Sequence, residues 1–261
     1  MARSAETDTL ASSFDRDEEQ IHHPAPGRSY LGVGLYSLPE AARLLHMPGA
    51  TLRRWLAGSG APVEAGQRDA GPLVWRENPE LVADGLLTFS ELIELLFIRQ
   101  LRRADVPLRT IRSIAREAGA ALQTPHPFAD RRFYTHRPPR HVPNEPLSQP
   151  LSPGSPEREI ASAVVVTVIE AFARQLDYAD NQVCRYWPLG KSRCVVLDPA
   201  RAFGQPADPA SGVPTRVLNS AYAAGEPVEE VARWYRVDPQ AVRDAVEFQE
   251  WLTVTRVPKA A

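Results

Sequence analysis

The sequence predicts a mainly α-helical protein with a minor β component, and two observations support that class. Apolar residues recur at helical spacing from Tyr36 to Ala118 and again from Pro214 to Leu252. Glycine and proline cluster within and between these segments, where short strands and loops are expected. With 261 residues the chain can form one large or two small domains with buried cores. We therefore expect a helical domain near each end of the chain and a small β-containing region between them.

The composition divides the chain into a disordered tail at 1–34, a first helical domain at 35–120, a middle region at 121–187, a C-terminal helical domain at 188–252 and a tail at 253–261. The first 34 residues carry six acidic and three basic side chains and few apolar ones, as in segments that cannot bury a core. Seven of the nineteen residues from 138 to 156 are proline, so a loop is expected at 137–156. One apolar face predicts a helix at 157–179.

The first domain opens with a helix-turn-helix pattern, YSLPEAARLLHMPGATLRRWL, at residues 36–56. Ser37 is the expected N-cap of a helix that starts at about Leu38. Glu40, three residues after the cap, completes a capping box, in which each of the two side chains bonds the other residue's backbone. The residues HMPG end this first helix.

A second helix is expected to begin near Gly49. Its apolar side chains, Leu52, Trp55 and Leu56, point inward and leave Thr51, Arg53 and Arg54 outside. Hydroxyl and guanidinium groups on a short amphipathic helix can reach phosphates and base edges, which is what a DNA recognition helix requires. The alternative is an ordinary helical hairpin with a solvated pair of arginines.

Between Gly58 and Gly85 the mixed polar, glycine and proline residues around the sequence PLVW favour a hairpin or wing over a helix. Two longer helices follow, with apolar faces at 92–101 and 111–115. The basic residues of these helices from 99 to 116, opposed only by Asp105, are Arg99, Arg102, Arg103, Arg109, Arg112 and Arg116. Such a local cluster can contact phosphates even on a chain with a net charge of −2.

These patterns define a set of candidate DNA-binding residues. The set is Ser37, Thr51, Arg53 and Arg54 in the helix-turn-helix, Arg68 and Arg76 in the wing, and Arg99, Arg102 and Arg103 in the long helix. Arg68 and Arg76 are expected on the DNA backbone, and the long helices are expected to add phosphate contacts and dimerisation.

The C-terminal domain begins with a short strand, Cys194 to Leu197, which ends at an Asp-Pro pair. A helix from about Pro214 follows, with Gly225 as its C-terminal cap. A second helix-turn-helix comes next: a helix after Pro227, a turn with Asp238 as N-cap, and a helix from Pro239. The residues expected to be buried between these helices are Val231, Ala232, Val242, Ala245, Val246 and Phe248, and those expected outside are Gln240, Arg243 and Asp244.

Residues 188–252 carry seven basic and nine acidic side chains. That balance argues against a duplex-binding surface and favours protein interaction or dimerisation, with DNA contact as the minority interpretation. The candidate partner-binding residues are Glu226, Glu229, Glu230 and Arg243.

Residues 36–56, the wing and the sequence ELIELLFIRQLRRADVPLRTIRSI together resemble the winged DNA-binding domain of MerR-type regulators. The resemblance covers about 80 residues and includes the order of the helices. One residue departs from it, because Pro48 stands where the family usually has a serine cap for the recognition helix.

The C-terminal segment, DPARAFGQP followed by GVPTRVL and AGEPVEEVARWYRVDPQAVRDAVEF, resembles a small domain found in VapB-like antitoxins. The antitoxin group that joins it to a MerR-like helix-turn-helix also has HPFADRRFYT and RYWPLG, at 126–135 and 185–190 here. The segment after RRFYT is a sheet element in that group and is proline-rich here, so the middle region is expected to be remodelled. The resemblance implies a protein that silences a PIN-like ribonuclease toxin and represses its own operon.

The sequence shows no residues suited to catalysis, metal binding or a cofactor. GVG at 32–34 lacks the strand and helix of a nucleotide-binding loop, and the histidines have no Glu or Cys at ligand spacing. The N-terminus has no secretory signal, no apolar run is long enough to cross a bilayer, and Cys184 and Cys194 are expected to be buried free thiols. A cytoplasmic protein that is not an enzyme is expected.

The leading hypothesis is an antitoxin-like repressor that binds double-stranded operator DNA, a PIN-like ribonuclease and a second copy of itself. Two alternatives stay open. The chain could be a stand-alone MerR-like regulator whose C-terminal half senses a small molecule or self-associates, or it could be an interaction adaptor that has lost DNA binding.

Overall fold

The computed structural model describes residue 30 and residues 32–58, 72–76, 78–135 and 167–253. The predicted loop at 137–156, Arg68 and nearly all of the two predicted tails lie outside the described residues. The described residues from 32 onward belong to one compact unit, which is mostly helical with two small two-stranded sheets. This confirms the predicted mainly α fold with a minor β component.

The helices are α1 (Leu38–Leu44), α2 (Gly49–Ala57), α3 (Pro79–Ala83), α4 (Phe89–Arg103), α5 (Leu108–Leu122), α6 (Arg131–Thr135), α7 (described at 167–173), α8 (Thr215–Ala223), α9 (Val228–Tyr235) and α10 (Pro239–Thr253). The strands are β1 (Leu35–Ser37), β2 (Leu86–Thr88), β3 (Leu176–Ala179) and β4 (Gln182–Tyr186). Strands β1 and β2 pair antiparallel with Tyr36 opposite Leu87, and β3 and β4 form an antiparallel hairpin.

Two capping boxes start the helices that follow β1 and β2. At α1, the backbone N–H of Ser37 donates to Glu40 Oε2 at 2.9 Å, and the Ser37 hydroxyl accepts from the backbone N–H of Glu40. Thr88 and Glu91 form the equivalent pair at α4. Each pair satisfies backbone donors that a helix start leaves without partners. Because β1 and β2 are antiparallel, with Ser37 opposite Leu86 and Leu35 opposite Thr88, α1 and α4 begin at opposite ends of this small sheet.

Helix α4 is the centre of the main core. Eight of its apolar side chains are buried, and so are its polar residues Glu91, Glu94 and Arg99. A helix that is buried nearly all round must have partners on every face. The helix-turn-helix packs on one side of α4, and residues from the middle region and from α10 complete the same core.

The middle region covers α4 with aromatic side chains. The Phe97 ring lies 4.5 Å from the Phe128 ring, 5.5 Å from Phe133 and 5.6 Å from Phe172, measured between centroids. The sequence HPFADRRFYT, residues 126–135, therefore covers one side of α4, and we call this segment the lid. The main core runs across the predicted boundaries at 120 and 187, and the division into separate domains stays a prediction.

Glu94 is a fully buried carboxyl beneath this lid. Its Oε1 accepts from the backbone N–H of Phe128 at 2.5 Å and of Ala129 at 3.1 Å. Burial raises the pKa of Glu94 to about 8, although these two hydrogen bonds act in the opposite direction. The carboxyl therefore joins the lid to α4 in its protonated form at neutral pH.

The C-terminal helices have a second, smaller core. Leu218, Val231, Ala232, Val242 and Ala245 pack between α8, α9 and α10, as the helical spacing predicts. Val246 is half-buried, and Phe248 belongs to the main core instead. The helix from about Pro214, the cap at Gly225 and the turn at Asp238 are confirmed, and Asp238 accepts from the N–H of Gln240.

A tight contact joins β1 to the segment between β4 and α8. The Tyr36 hydroxyl of β1 donates to the carbonyl of Gly204 at 2.7 Å, and burial raises the pKa of Tyr36. A Cβ atom at Gly204 would lie 2.6 Å from that hydroxyl and 3.1 Å from Gly34 Cα. Gly204 also has a φ of +82°, a conformation that other residues rarely adopt. Glycine is therefore required both for space and for backbone conformation.

Four expectations differ from the structure. The insert between α2 and β2 contains a short helix, α3, where only a hairpin or wing was expected. The helix predicted at 157–179 ends at residue 173 and gives way to β3. The strand predicted at 194–197 reduces to isolated bridges at Val196 and Leu197.

The fourth difference concerns Asp244, which was expected outside and is fully buried. It accepts from Arg193 Nε at 2.9 Å and from the backbone N–H of Cys194 at 2.7 Å. Gln240 Nε2 donates to the same carboxylate. Asp244 therefore ties α10 to the segment after β4, because a buried carboxylate requires donors on its oxygens.

We predict that Glu94 makes the protein less stable as pH rises from about 4.5 to about 8. The folded state keeps a proton that the unfolded state releases above its ordinary pKa, so the free energy of unfolding falls by at most about 1.4 kcal/mol per pH unit in this range. Urea unfolding of the wild type and of Glu94→Gln measures the effect, since the glutamine does not titrate. Equal pH dependence in the two proteins would contradict the prediction, and the exposed Glu170→Gln is the matched control.

Candidate nucleic-acid interface

Helix α2 has an exposed polar face, and its opposite face is packed in the main core. Leu52, Trp55 and Leu56 are buried in the main core, as predicted. Arg53 and Arg54 are exposed, and among the described residues neither guanidinium has a hydrogen-bond or ion-pair partner. The two cations are therefore available to a polyanion without first breaking an internal contact.

The N-terminus of α2 lacks a side-chain cap. Pro48 occupies the cap position with an extended backbone, and no side-chain hydrogen bond closes the first turn. The Pro48 carbonyl accepts from the N–H of Thr51 at 2.9 Å and of Leu52 at 3.1 Å. Thr51 is half-buried beside these bonds. The helix begins at Gly49 as predicted, and its first N–H groups keep their capacity to meet phosphate oxygens.

Ser37 was predicted to contact DNA, but its side chain is occupied inside the protein. The hydroxyl donates to Glu40 Oε2 at 2.7 Å and accepts from the Glu40 N–H. These bonds assign Ser37 to the start of α1. It can position the helix-turn-helix, and we leave it out of the proposed set of DNA contacts.

Arg76 differs from its predicted role in the same way. Its side chain is only 11% exposed, its Nε lies 3.3 Å from Glu91 Oε1, and its guanidinium donates to the Leu86 carbonyl. The arginine thus holds the chain around residue 76 against β2 and the start of α4. If Arg76 moved to contact a phosphate, it would leave the buried carboxylate of Glu91 without its ion-pair partner, which costs a large amount of free energy.

The three arginines of α4 have different environments. Arg99 is 8% exposed and lies with its Nη2 3.4 Å from the His46 carbonyl, which joins α4 to the turn after α1. Burial, and next the neighbouring Arg103, lower the pKa of Arg99 to about 10. Arg102 and Arg103 are exposed at the end of α4, and Arg102 Nη1 also donates to the Val106 carbonyl. Only Arg102 and Arg103 can reach an external phosphate.

The predicted partner-binding residues lie at or near the surface, on α9, on α10 and in the turn between α8 and α9. Glu229 and Arg243 are exposed, with 3.9 Å between Glu229 Oε1 and Arg243 Nη1, and Glu226 and Glu230 are half-buried. Arg233 pairs with Glu230. Surface pairs of this kind contribute little to stability, so these charges remain able to meet a partner.

Two aromatic side chains that no sequence pattern singled out are exposed on the same helices. Trp234 on α9 is 54% exposed and Tyr222 on α8 is 43% exposed. Large exposed aromatic side chains are enriched at protein interfaces. The sequence did contain a signal for Trp234. Val228, Val231 and Ala232 form the buried face of α9, and Trp234 does not belong to that face.

Three further features of the described residues concern metal ligands, cysteines and membrane spans. The described residues contain no group of three or more His, Cys, Asp or Glu side chains placed to hold a metal ion. Cys184 and Cys194 are free and only half-buried, in contrast to the buried thiols expected, and burial still raises the pKa of each. No helix in the described ranges is long and apolar enough to cross a membrane.

The class of domain that carries α2 is identified by comparison with known families. Residues 34–115 match the family described as "Putative DNA-binding HTH domain". The match begins one residue before β1 and ends within α5. The first helix-turn-helix and α4 therefore lie within one region that is similar to this helix-turn-helix family.

The chain is similar to individual proteins over most of its length. It is 28% identical to "Putative antitoxin VapB45" from Mycobacterium tuberculosis over 238 residues, which cover 82% of this chain and 93% of that protein. It is 24% identical to the uncharacterized protein Rv2308 of the same organism, over 89% of this chain and 97% of the relative. The crystal structure of Rv2018 from M. tuberculosis matches with a TM-score of 0.57 and 26% identity, over 83% of this chain and 99% of that one.

We predict that Pro48→Ser stabilises the protein relative to Pro48→Ala by about 0.5–2 kcal/mol, since a serine hydroxyl can accept from the first N–H groups of α2. The comparison with alanine removes the effect of losing the proline ring, which both variants share. Chemical denaturation measures the difference. Ser37→Ala, which deletes an observed cap, shows how large a cap contribution is in this protein. Equal stability of the two Pro48 variants would show that α2 does not use a side-chain cap.

Proposed function

We propose that the protein is an antitoxin-like transcription regulator, which binds operator DNA through its first helix-turn-helix and a ribonuclease toxin through its C-terminal helices. The observation that carries the DNA half is the pair Arg53 and Arg54, exposed and without partners among the described residues on a helix whose other face is locked in the core. The similarity to a protein named as an antitoxin, over more than four fifths of the chain, supports the other half.

In the proposed DNA complex, α2 enters the major groove. Thr51, Arg53 and Arg54 reach base edges and phosphates, and Arg102 and Arg103 at the end of α4 add backbone contacts. The proposal includes a MerR-like wing between α2 and β2, with Arg68 as a candidate backbone contact. Phosphate contacts of this number supply affinity, while the α2 side chains supply sequence preference.

In the proposed toxin complex, the acidic C-terminal helices face a basic partner. A PIN-like ribonuclease acts on a polyanion, so its substrate surface is expected to be positively charged. Glu226, Glu229 and Glu230 complement such a surface, and the exposed Trp234 on α9 and Tyr222 on α8 offer apolar anchors. Complementary charge gives orientation and association rate, and the aromatic side chains give most of the affinity.

A homodimer is part of the proposal for a physical reason. Two half-sites bound together double the number of phosphate contacts, which lets a short recognition helix reach a useful affinity. The stand-alone regulator and the adaptor remain the alternatives. A regulator without a toxin keeps DNA binding and lacks a nuclease partner, whereas an adaptor lacks DNA binding.

Replacing both Arg53 and Arg54 with alanine is expected to lower affinity for a duplex from the chain's own promoter region at least tenfold. The slope of log affinity against log salt concentration should become shallower by up to about 2. Each phosphate contact releases condensed counterions when it forms, so the complex of the variant releases fewer of them. Fluorescence anisotropy at several salt concentrations measures both quantities. Arg174→Ala, at another exposed arginine, is the matched control. If the double variant binds as the wild type does, the adaptor interpretation replaces this one.

Reversing charge with Glu229→Lys and Glu230→Lys is expected to reduce the amount of nuclease captured by the tagged chain from its native host several-fold. Duplex affinity should not fall, because the change lies outside the first helix-turn-helix. Quantitative mass spectrometry of the captured proteins measures the effect, with Glu170→Lys as the control for a charge reversal elsewhere. Unchanged capture would remove these carboxylates from the proposed interface.

A further inference from the structure

A cleft of about 240 Å³ lies between the first helix-turn-helix and the C-terminal helices. One wall is formed by β1 and α1, including Glu40 and Arg43, and the other by the start of α8 and the end of α10, including Thr215, Arg216 and Gln249. The two walls come from segments that are more than 160 residues apart in the chain, and the Tyr36–Gly204 hydrogen bond joins the same two segments.

The cleft is lined by two basic side chains and one acidic side chain. Arg43 and Arg216 are exposed, and within the described part of the chain neither side chain has a hydrogen-bond or ion-pair partner. Glu40 also lines the cleft, but its Oε2 already accepts from the backbone N–H and the hydroxyl of Ser37. Two unpaired guanidinium groups, one from each wall, therefore outweigh a carboxylate that is already satisfied.

The backbone of α8 adds to this positive character. Arg216 is the second residue of a nine-residue helix, and Pro214 at the cap position supplies no side-chain hydrogen bond. The N–H of Thr215 donates to the Pro206 carbonyl and the N–H of Val217 to Pro214. The Arg216 N–H has no partner among the described residues, so an orphan donor of the helix N-terminus lies next to the Arg216 side chain.

We propose that this cleft binds a small organic anion, held through a carboxylate or phosphate group between Arg43 and Arg216. Guanidinium groups bind both anions in paired hydrogen bonds, and the helix N-terminus favours the same charge. A single phosphate fills only part of the volume, and the amide of Gln249, which donates to Thr215 Oγ1 at 2.8 Å, marks the polar wall that an organic portion would meet. The anion would bridge the DNA-binding domain and the C-terminal helices.

The shape of the site favours a small molecule over nucleic acid. Duplex DNA is contacted by protruding helices and wings, since its major groove is about 12 Å wide. A concave site of about 240 Å³ between two packed segments cannot admit a duplex. The inference does not depend on the proposed function, because either an antitoxin or a stand-alone regulator could carry such a site.

The test uses the full-length protein with inorganic phosphate and succinate as probes, titrated by calorimetry at constant ionic strength against chloride. We expect saturable binding of one anion per chain for at least one probe, and the stronger probe distinguishes a phosphate ligand from a carboxylate ligand. Arg43→Ala and Arg216→Ala should each weaken that binding at least tenfold, whereas Arg174→Ala, an exposed arginine outside the cleft, should leave it unchanged. Thermal unfolding in chloride confirms that all three variants are folded.

Three results would overturn the proposal. The first is the absence of saturable binding for both anions, and the second is an equal loss of binding in Arg174→Ala. The third is a loss of duplex affinity in Arg43→Ala and Arg216→Ala as large as that of the Arg53 and Arg54 variant, which would assign these arginines to the DNA surface. Failure of DNA binding by the wild type would contradict the proposed function and leave the anion result to stand by itself.

Discussion

The burial of α4 is the constraint on which the rest of the structure depends. Phe89–Arg103 has so many buried side chains that other segments must supply packing on every side. Side chains of the helix-turn-helix, the aromatic lid of the middle region and Phe248 of α10 all belong to the same continuous core as this helix. Removing any one of these would expose apolar surface at about 25 cal/mol per Å², so the parts stabilise one another.

This arrangement gives the DNA-binding domain its rigidity. The inner face of α2 rests on the core that α4 organises, and the capping boxes of Ser37 with Glu40 and Thr88 with Glu91 set where α1 and α4 begin. Arg76 connects the second box to β2 through Glu91. Residues predicted to touch DNA thus divide into two roles. Arg53 and Arg54 face outward, whereas Ser37, Arg76 and Arg99 hold the element that presents them.

The uneven distribution of charge explains how a chain with a net charge of −2 can carry a helix-turn-helix region with exposed cations. The exposed cations of α2 and the end of α4 are local, and the C-terminal helices carry an excess of acidic groups. Net charge is the sum of the charges on all surfaces of the protein, so it does not describe the charge of any single surface. At the Tyr36–Gly204 bond and the cleft beside it, the region of β1 and α1 meets the C-terminal part of the described chain.

Sequence patterns predicted the features that depend on local chemistry. The start of α1 at Leu38, the start of α2 at Gly49 and the turn at Asp238 follow from capping and proline signals within a few residues, and all three are confirmed. Strand β3 was missed because it forms by pairing with β4, which outweighs the helical spacing before it. Asp244 was misplaced because its partner Arg193 lies 51 residues away, and a contact of that separation leaves no local pattern.

Arg99 and Glu94 illustrate the same limit within one helix. On a helical wheel both lie among apolar residues, and α4 is enclosed by segments from earlier and from later in the chain. The wheel reports only which residues share a face. Tertiary packing decides whether that face meets water, and here the lid at Phe128 and the turn at His46 cover it.

The most direct test of the account places a photo-crosslinking amino acid at Thr51 in one protein and at Glu229 in another, each expressed in the native host. We expect DNA adducts from position 51 and adducts to one small nuclease from position 229. Protein adducts without DNA at position 51 would contradict the assignment of α2 as the DNA-reading helix. DNA adducts at position 229, or no adduct there, would contradict the assignment of the C-terminal helices to a toxin.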